Sequence, residues 1–170
     1  MKTQKKLSIY LVDDDKIFVT ALTDQFEKIS NAAVHSFETG EECLQNIEQS
    51  PDIVVLDYYL NSTYPRAMNG LQIMQKILKH KPETKVIMLS AQDNMDVAVD
   101  TIKHGAYDYV IKNEKVFLRM KHVVSNASKA IFDSRNLKTY RLWTRIFIGA
   151  VLSIILAGVM VESDFFKYVK

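Results

Sequence analysis

The run DIVVLD, residues 52–57, sets four consecutive apolar side chains between two aspartates. A strand that alternates apolar and polar residues can leave one face in water, whereas a strand apolar at every position must be covered on both faces. TKVIMLS, residues 84–90, repeats the pattern, and shorter runs recur in LSIYLV at 7–12, in Ala33–Phe37 and in YDYVIK at 107–112. Helical spacing fills the gaps between them. Phe18, Ala21, Leu22, Phe26 and Ile29 follow the first run, and Cys43, Leu44 and Ile47 mark a short helix over 40–48. Gly70 opens a helix carrying Leu71, Met74, Ile77 and Leu78. Asp93 is the expected cap of the next, with Met95, Ala98, Val99 and Ile102 as its inner face and Gly105 at its end. A last helix from Glu114 puts Val116, Phe117, Met120, Val123, Val124, Ala127 and Ile131 inside. Five strands alternating with five helices predict an α/β fold: a doubly wound five-stranded parallel sheet of flavodoxin-like order 2-1-3-4-5, followed by a long C-terminal helix.

In such sheets the functional crevice lies at the carboxyl ends of the strands. The first run ends at Asp13 and Asp14, the third at Asp57, the fourth at Ser90 and the fifth at Lys112. The expected order brings these ends to one rim. Clustered carboxylates repel one another unless a hard cation neutralises them, and Mg²⁺ takes oxygen ligands. A carboxylate beside such a cation, a hydroxyl and a lysine suits acceptance of a phosphoryl group, whose charge spreads over its equatorial oxygens.

The ordered set VDDD, VVLD, MLSA and YVIK, each closing an apolar strand, resembles the response-regulator receiver family of two-component signalling over about residues 6–130. The resemblance implies Asp57 as phosphoacceptor and Asp14 as a direct Mg²⁺ ligand, with Asp13 acting through water and the Tyr59 carbonyl completing the protein ligands. It implies Ser90 as the switch hydroxyl on the phosphoryl group, Lys112 as its ionic partner and Tyr109 as the switch aromatic. Asp15 is expected to cap a helix. The chain departs from the family at two places. Asn113 stands where a proline usually follows the lysine, so a trans bond is expected there. Gly70 lies thirteen residues after Asp57, beyond the family's usual spacing, with LNSTYPRAMN between. A haloacid-dehalogenase-type phosphatase would use Asp13 and Asp15, but it needs a later acidic pair on another strand and leaves Asp57 idle. A capping cluster without metal leaves Asp57 and Lys112 unexplained. His35, His80, His104 and His122 show no metal-ligand spacing.

With 170 residues the chain has room for one such domain and an appendage. Its single cysteine, Cys43, fits a reducing compartment. The basic start, Met1 to Lys6, leads only into a short strand, so no secretory signal is expected. Charge is uneven: residues 1–111 hold 11 basic and 16 acidic side chains, and residues 112–145 hold 9 and 2. The basic stretch precedes an uncharged run from Ile146 to Val161. Twenty residues, 142–161, would rise about 30 Å as a helix, the thickness of a bilayer core. Tyr140 and Trp143 stand on one side, Phe165, Phe166 and Tyr168 on the other.

The expected organisation is thus a receiver domain over 1–130, a basic juxtamembrane linker over 131–141, a transmembrane helix over 142–161 and a short extracytoplasmic tail over 162–170. Lys129, Arg135, Lys138 and Arg141 before the span, with Arg145 near its start, place the domain in the cytoplasm, at the inner membrane, where kinases find ATP. Gly149, Ser153 and Ala157 form a small-residue stripe on which two tails could pair as a homodimer. No helix-turn-helix follows the domain, so specific nucleic-acid binding is not expected. The function expected is a phosphoacceptor, not an enzyme. A sensor histidine kinase or phosphotransfer protein would load Asp57, and a downstream protein would read the change beside membrane lipid. The alternative is a membrane-anchored scaffold of the same fold that takes no phosphate.

Overall fold

Every strand of the computed structural model runs parallel to its neighbours, in the order β2-β1-β3-β4-β5. The strands are β1 (Ser8–Val12), β2 (Ala33–Phe37), β3 (Ile53–Asp57), β4 (Lys85–Ser90) and β5 (Asp108–Ile111). The helices are α1 (Lys16–Ser30), α2 (Gly40–Gln45), α3 (Gly70–His80), α4 (Met95–Lys103) and α5 (Val116–Tyr168). The residues described are 6–30, 32–60, 68–91 and 94–168, with side chains for all of these except 29, 30 and 155–168. Most of the loop after Asp57, residues 61–67, therefore lies outside the described residues, as does Asp93.

The sheet is what the unbroken apolar runs require. β3 is buried at all five positions, and Val86 through Ser90 of β4 are buried as well. Ile73, Met74 and Ile77 of α3 cover one face together with Cys43 and Ile47. Ile47 belongs to a separate 3₁₀ turn, Ile47–Gln49, so the expected helix over 40–48 stops early. On α1, Leu22 and Phe26 are buried. Two compact units divide the chain, Met1–Lys129 and Ala130–Lys170.

Helix α4 differs from its expected setting. Asn94 is the cap, accepting from the Asp96 and Val97 amides. The helix buries Thr101, while Met95 and Ile102 are 72% and 47% exposed and Val99 is exposed too. The reason is local. The Thr101 hydroxyl donates to the Val97 and Ala98 carbonyls at 2.9 Å, so it enters the core already satisfied. Replacing Ile102 by serine should then change stability by no more than about 0.5 kcal/mol. Ile77→Ala, on the covered face of α3, should cost about 2–5 kcal/mol in the same urea titration. Phe117, expected inside, is also exposed.

In the second unit, Leu142, Trp143, Ile146, Phe147, Ile148, Leu152 and Ile154 of α5 are exposed. Among the described residues no helix is long and apolar enough to cross a membrane, so the expected span is not shown. That span, 142–161, runs past the last described side chain, and the tail after it lies wholly beyond.

Candidate functional site

Three consecutive aspartates follow β1, and the fold gives each a different task. The Asp13 amide donates to the Phe37 carbonyl, continuing the sheet by one residue and turning the carboxylate inward. Asp14 comes next and is exposed. Asp15 Oδ1 accepts from the Ile17 and Phe18 amides at 3.0 and 3.1 Å, the N-cap of α1.

The other strand ends arrive by register. Val12 pairs with Leu56, Asp57 with Leu89, and Ser90 with Ile111. Asp57 therefore lies one strand from Asp13, and the Lys112 amide donates to the Ser90 carbonyl at 2.8 Å. Carboxylate oxygens of Asp13, Asp14 and Asp57 lie within 4.8 Å of one another. The Lys112 ammonium reaches both buried acids, at 2.7 Å from Asp13 Oδ2 and 3.2 Å from Asp57 Oδ1. Ser90 is fully buried at the end of β4. Tyr109, on β5, packs against the core cluster that includes Val54, Met74 and Met88. Tyr59 is exposed in the turn after β3, its ring edge-on to Tyr58 at 4.9 Å.

Burial dominates the electrostatics. Asp13 and Asp57 are only 4% and 5% exposed. Loss of water pushes the Asp57 carboxyl up to about 6, with Lys112 opposing and the neighbouring aspartates reinforcing the rise. Asp13 is raised for the same reason. Burial alone would lower the Lys112 ammonium, but its bond to Asp13 and the charge of Asp57 raise it. Lysine remains charged, and the two acids lean on it.

Among the described residues, Asp13 Oδ2 and Asp57 Oδ1 are buried and accept no aligned hydrogen bond; what they meet is the Lys112 ammonium, in two ion pairs. Carboxylate groups converging from two strands with one lysine to share, and a third acid at the rim, suit a hard divalent cation. The donor set is oxygen only, which fits Mg²⁺ or a similar ion and not a thiolate-seeking metal. Asp57 has a free oxygen lone pair in a dry, positively braced setting, which suits a carboxylate nucleophile.

Three residues near this site gave no signal of their place beside it. Phe18 reads in the sequence as a helical core position and Phe117 likewise, yet the Phe18 ring lies 5.1 Å from the Lys112 ammonium and 5.6 Å from the Phe117 ring. Gly70 reads as a helix start, and its closeness to the Asp57 backbone is visible only in three dimensions.

A doubly wound α/β domain with a buried acidic rim and an ion-paired lysine is the class that fold and site define. The chain belongs to the response regulator receiver domain family, whose model matches residues 9–121. Chemotaxis protein CheY of Listeria monocytogenes is 36% identical over 104 residues, 60% of this chain and 83% of that protein. The photosynthetic apparatus regulatory protein RegA of Rhodobacter capsulatus is 30% identical over 107 residues; the match covers 62% of this chain but only 54% of RegA. Among solved structures, the signal receiver domain of a LuxO repressor protein from Vibrio parahaemolyticus superposes with a TM-score of 0.69 at 25% identity, covering 78% of this chain and 97% of that one. A BeF3-activated DrrB receiver domain gives 0.59 at 29%, covering 71% and 98%.

Proposed function

We propose that the receiver domain takes a phosphoryl group on Asp57 from a sensor histidine kinase or phosphotransfer protein and presents the change to a downstream protein. The observation that carries this reading is the Asp57 oxygen, buried, without an aligned hydrogen bond, and 3.2 Å from a lysine. An Asp57 carboxylate oxygen attacks phosphorus as the bond from phosphorus to the donor's imidazole nitrogen breaks. The electron pair stays on that nitrogen, which takes a proton, and Asp57 becomes an acyl phosphate. Lys112 pairs with a phosphoryl oxygen, the Ser90 hydroxyl donates to another, and Tyr109 follows Ser90. Asp13, Asp14, Asp57 and the Tyr59 carbonyl would hold Mg²⁺, which supplies charge neutralisation to the phosphoryl oxygens. The domain turns over no separate substrate, so it is a phosphoacceptor and not an enzyme.

The reading surface is the outward stripe of Met95, Val99 and Ile102 on α4, which packs beside β5. Acetyl phosphate, a small donor, tests the acceptor. Incubated with it and Mg²⁺, the full chain should gain one phosphoryl mass on the Asp57 peptide, labile to hydroxylamine. Label on any other residue, or none, removes the reading.

The finer reading places this domain on the cytoplasmic side of a membrane, anchored by 142–161. Its supports are the uncharged run from Ile146 to Val161, the basic residues before it and the exposed apolar side chains through Ile154. The full chain should stay in carbonate-washed membranes while a chain ending at Arg141 should not. Release of both by the wash would show that the tail does not anchor.

A further inference from the structure

We propose that Phe18, seated on Phe117, is the positioning residue that braces the Lys112 ammonium against the two buried carboxylates. The inference rests on the phosphoacceptor reading for its consequence, though the brace itself can be measured without phosphate.

Lys112 leaves the sheet at the end of β5, an edge strand with one neighbour. Its backbone is tied to β4 through the Ser90 carbonyl, but the residue after it is Asn113, whose φ is not fixed by a ring. Asn113 instead makes a side-chain turn, its Oδ1 accepting from the Lys115 amide at 3.0 Å. That turn shapes the approach to α5 and does nothing to hold the lysine side chain. A long, four-carbon side chain loses substantial rotamer freedom when fixed, so a contact beyond its ion pairs with Asp13 and Asp57 helps to keep it aimed.

That contact comes from α1. The Phe18 amide is fixed by Asp15 Oδ1, so the helix enters at a set angle. The Phe18 ring then lies 5.1 Å from the Lys112 ammonium, within reach of a cation–π interaction. Its seat is the Phe117 ring, tilted at 44° with centroids 5.6 Å apart. Phe117 is in turn gripped by α1, because Gln25 Nε2 donates to the Phe117 carbonyl at 2.8 Å. Helix α1 thus holds the start of α5 at two places, one ring and one amide, and the Lys112 side chain beside Phe18 is 19% exposed. The ring offers the ammonium no oxygen acceptor, so its ion pairs are those with Asp13 and Asp57.

The first test labels lysines in the purified full chain with trace acetic anhydride and compares Lys112 with Lys121 by mass spectrometry. Phe18→Leu keeps an apolar side chain without a π face, and its Lys112 should acetylate about five- to tenfold faster, while Phe18→Tyr should label at the native rate. Equal labelling of Lys112 in native and Phe18→Leu protein overturns the proposal. The second test measures the initial rate with acetyl phosphate and Mg²⁺. Phe18→Leu should slow it about fivefold and Phe18→Tyr should restore it. In a Lys112→Ala background Phe18→Leu should cause no further loss, since it acts through the lysine. An equal loss in both backgrounds overturns the proposal, because Phe18 then acts by other means. If native protein accepts no phosphate, the phosphoacceptor reading falls, and the labelling ratio still decides the brace.

Discussion

Replacing Asp57 by asparagine is expected to abolish phosphate uptake and, in the same molecule, to raise stability at pH 7 by about 2 kcal/mol. The two effects share a cause. A carboxylate poised to attack phosphorus must keep a bare oxygen in a dry place, and burial lifts its carboxyl from the ordinary value to about 6. Between pH 4 and 6 the folded state therefore holds a proton that the unfolded chain has released. Stability falls as pH rises through that window and is level above it. Asparagine carries no charge to desolvate, and Lys112 keeps Asp13 at 2.7 Å, so no ammonium is stranded. Urea unfolding at pH 4.5, 6 and 7.5 checks this. The native chain should lose stability across the series, and Asp57→Asn should show a shallower slope, with Asp13 supplying the remainder. Millimolar Mg²⁺ should recover stability for the native chain at pH 7.5 and do little for the variant. A variant less stable than native at pH 7.5 would mean that the Lys112 contact outweighs the desolvation of Asp57.

The sheet and the acidic rim were legible because both depend on where strands end. Apolar runs fix which residues are buried on two faces, and parallel pairing then delivers Asp13, Asp57, Ser90 and Lys112 to one edge whatever the loops do. The three adjacent aspartates were not separable on that ground: only Asp15 was expected to cap a helix, and the burial of Asp13 beside an exposed Asp14 shows in the structure. Helix facing was less legible. On α4, hydropathy favours Ile102 over Thr101, but a hydroxyl bonded within its own helix can be buried at little cost. Phe18 and Phe117 carry the same difficulty: helical spacing marks them as apolar and says nothing of their contact with each other or of the lysine beside Phe18. The tail is harder again, because a segment apolar on all sides reveals what solvent it avoids and not what covers it.

Gly70→Ala is expected to cost about 2–3 kcal/mol in stability and to slow phosphorylation by more than about tenfold in the protein that remains folded. Its position defines why. Gly70 begins α3, capped by Asn69 and Gln72 in a reciprocal pair, and its amide donates to the Tyr58 carbonyl at 3.0 Å. A methyl group there would overlap the Asp57 carbonyl oxygen and sit 2.7 Å from the Tyr58 Cα. Both are backbone atoms of the strand end that carries the phosphoacceptor, so no side-chain rotation relieves the clash. Either α3 lifts from the sheet or Asp57 shifts away from Lys112, and in-line transfer is sensitive to displacements of about 1 Å. Gly40→Ala is the matched control. The three atoms nearest a methyl at Gly40 all belong to the Ile73 side chain, in the core below α2 and α3. It should destabilise the fold while leaving the acetyl phosphate rate of the folded fraction near native. Urea unfolding together with that rate, measured where both variants are folded, separates them. If Gly70→Ala lost stability but kept the native rate, the helix would have yielded rather than the strand, and Asp57 would owe its placement to the sheet alone.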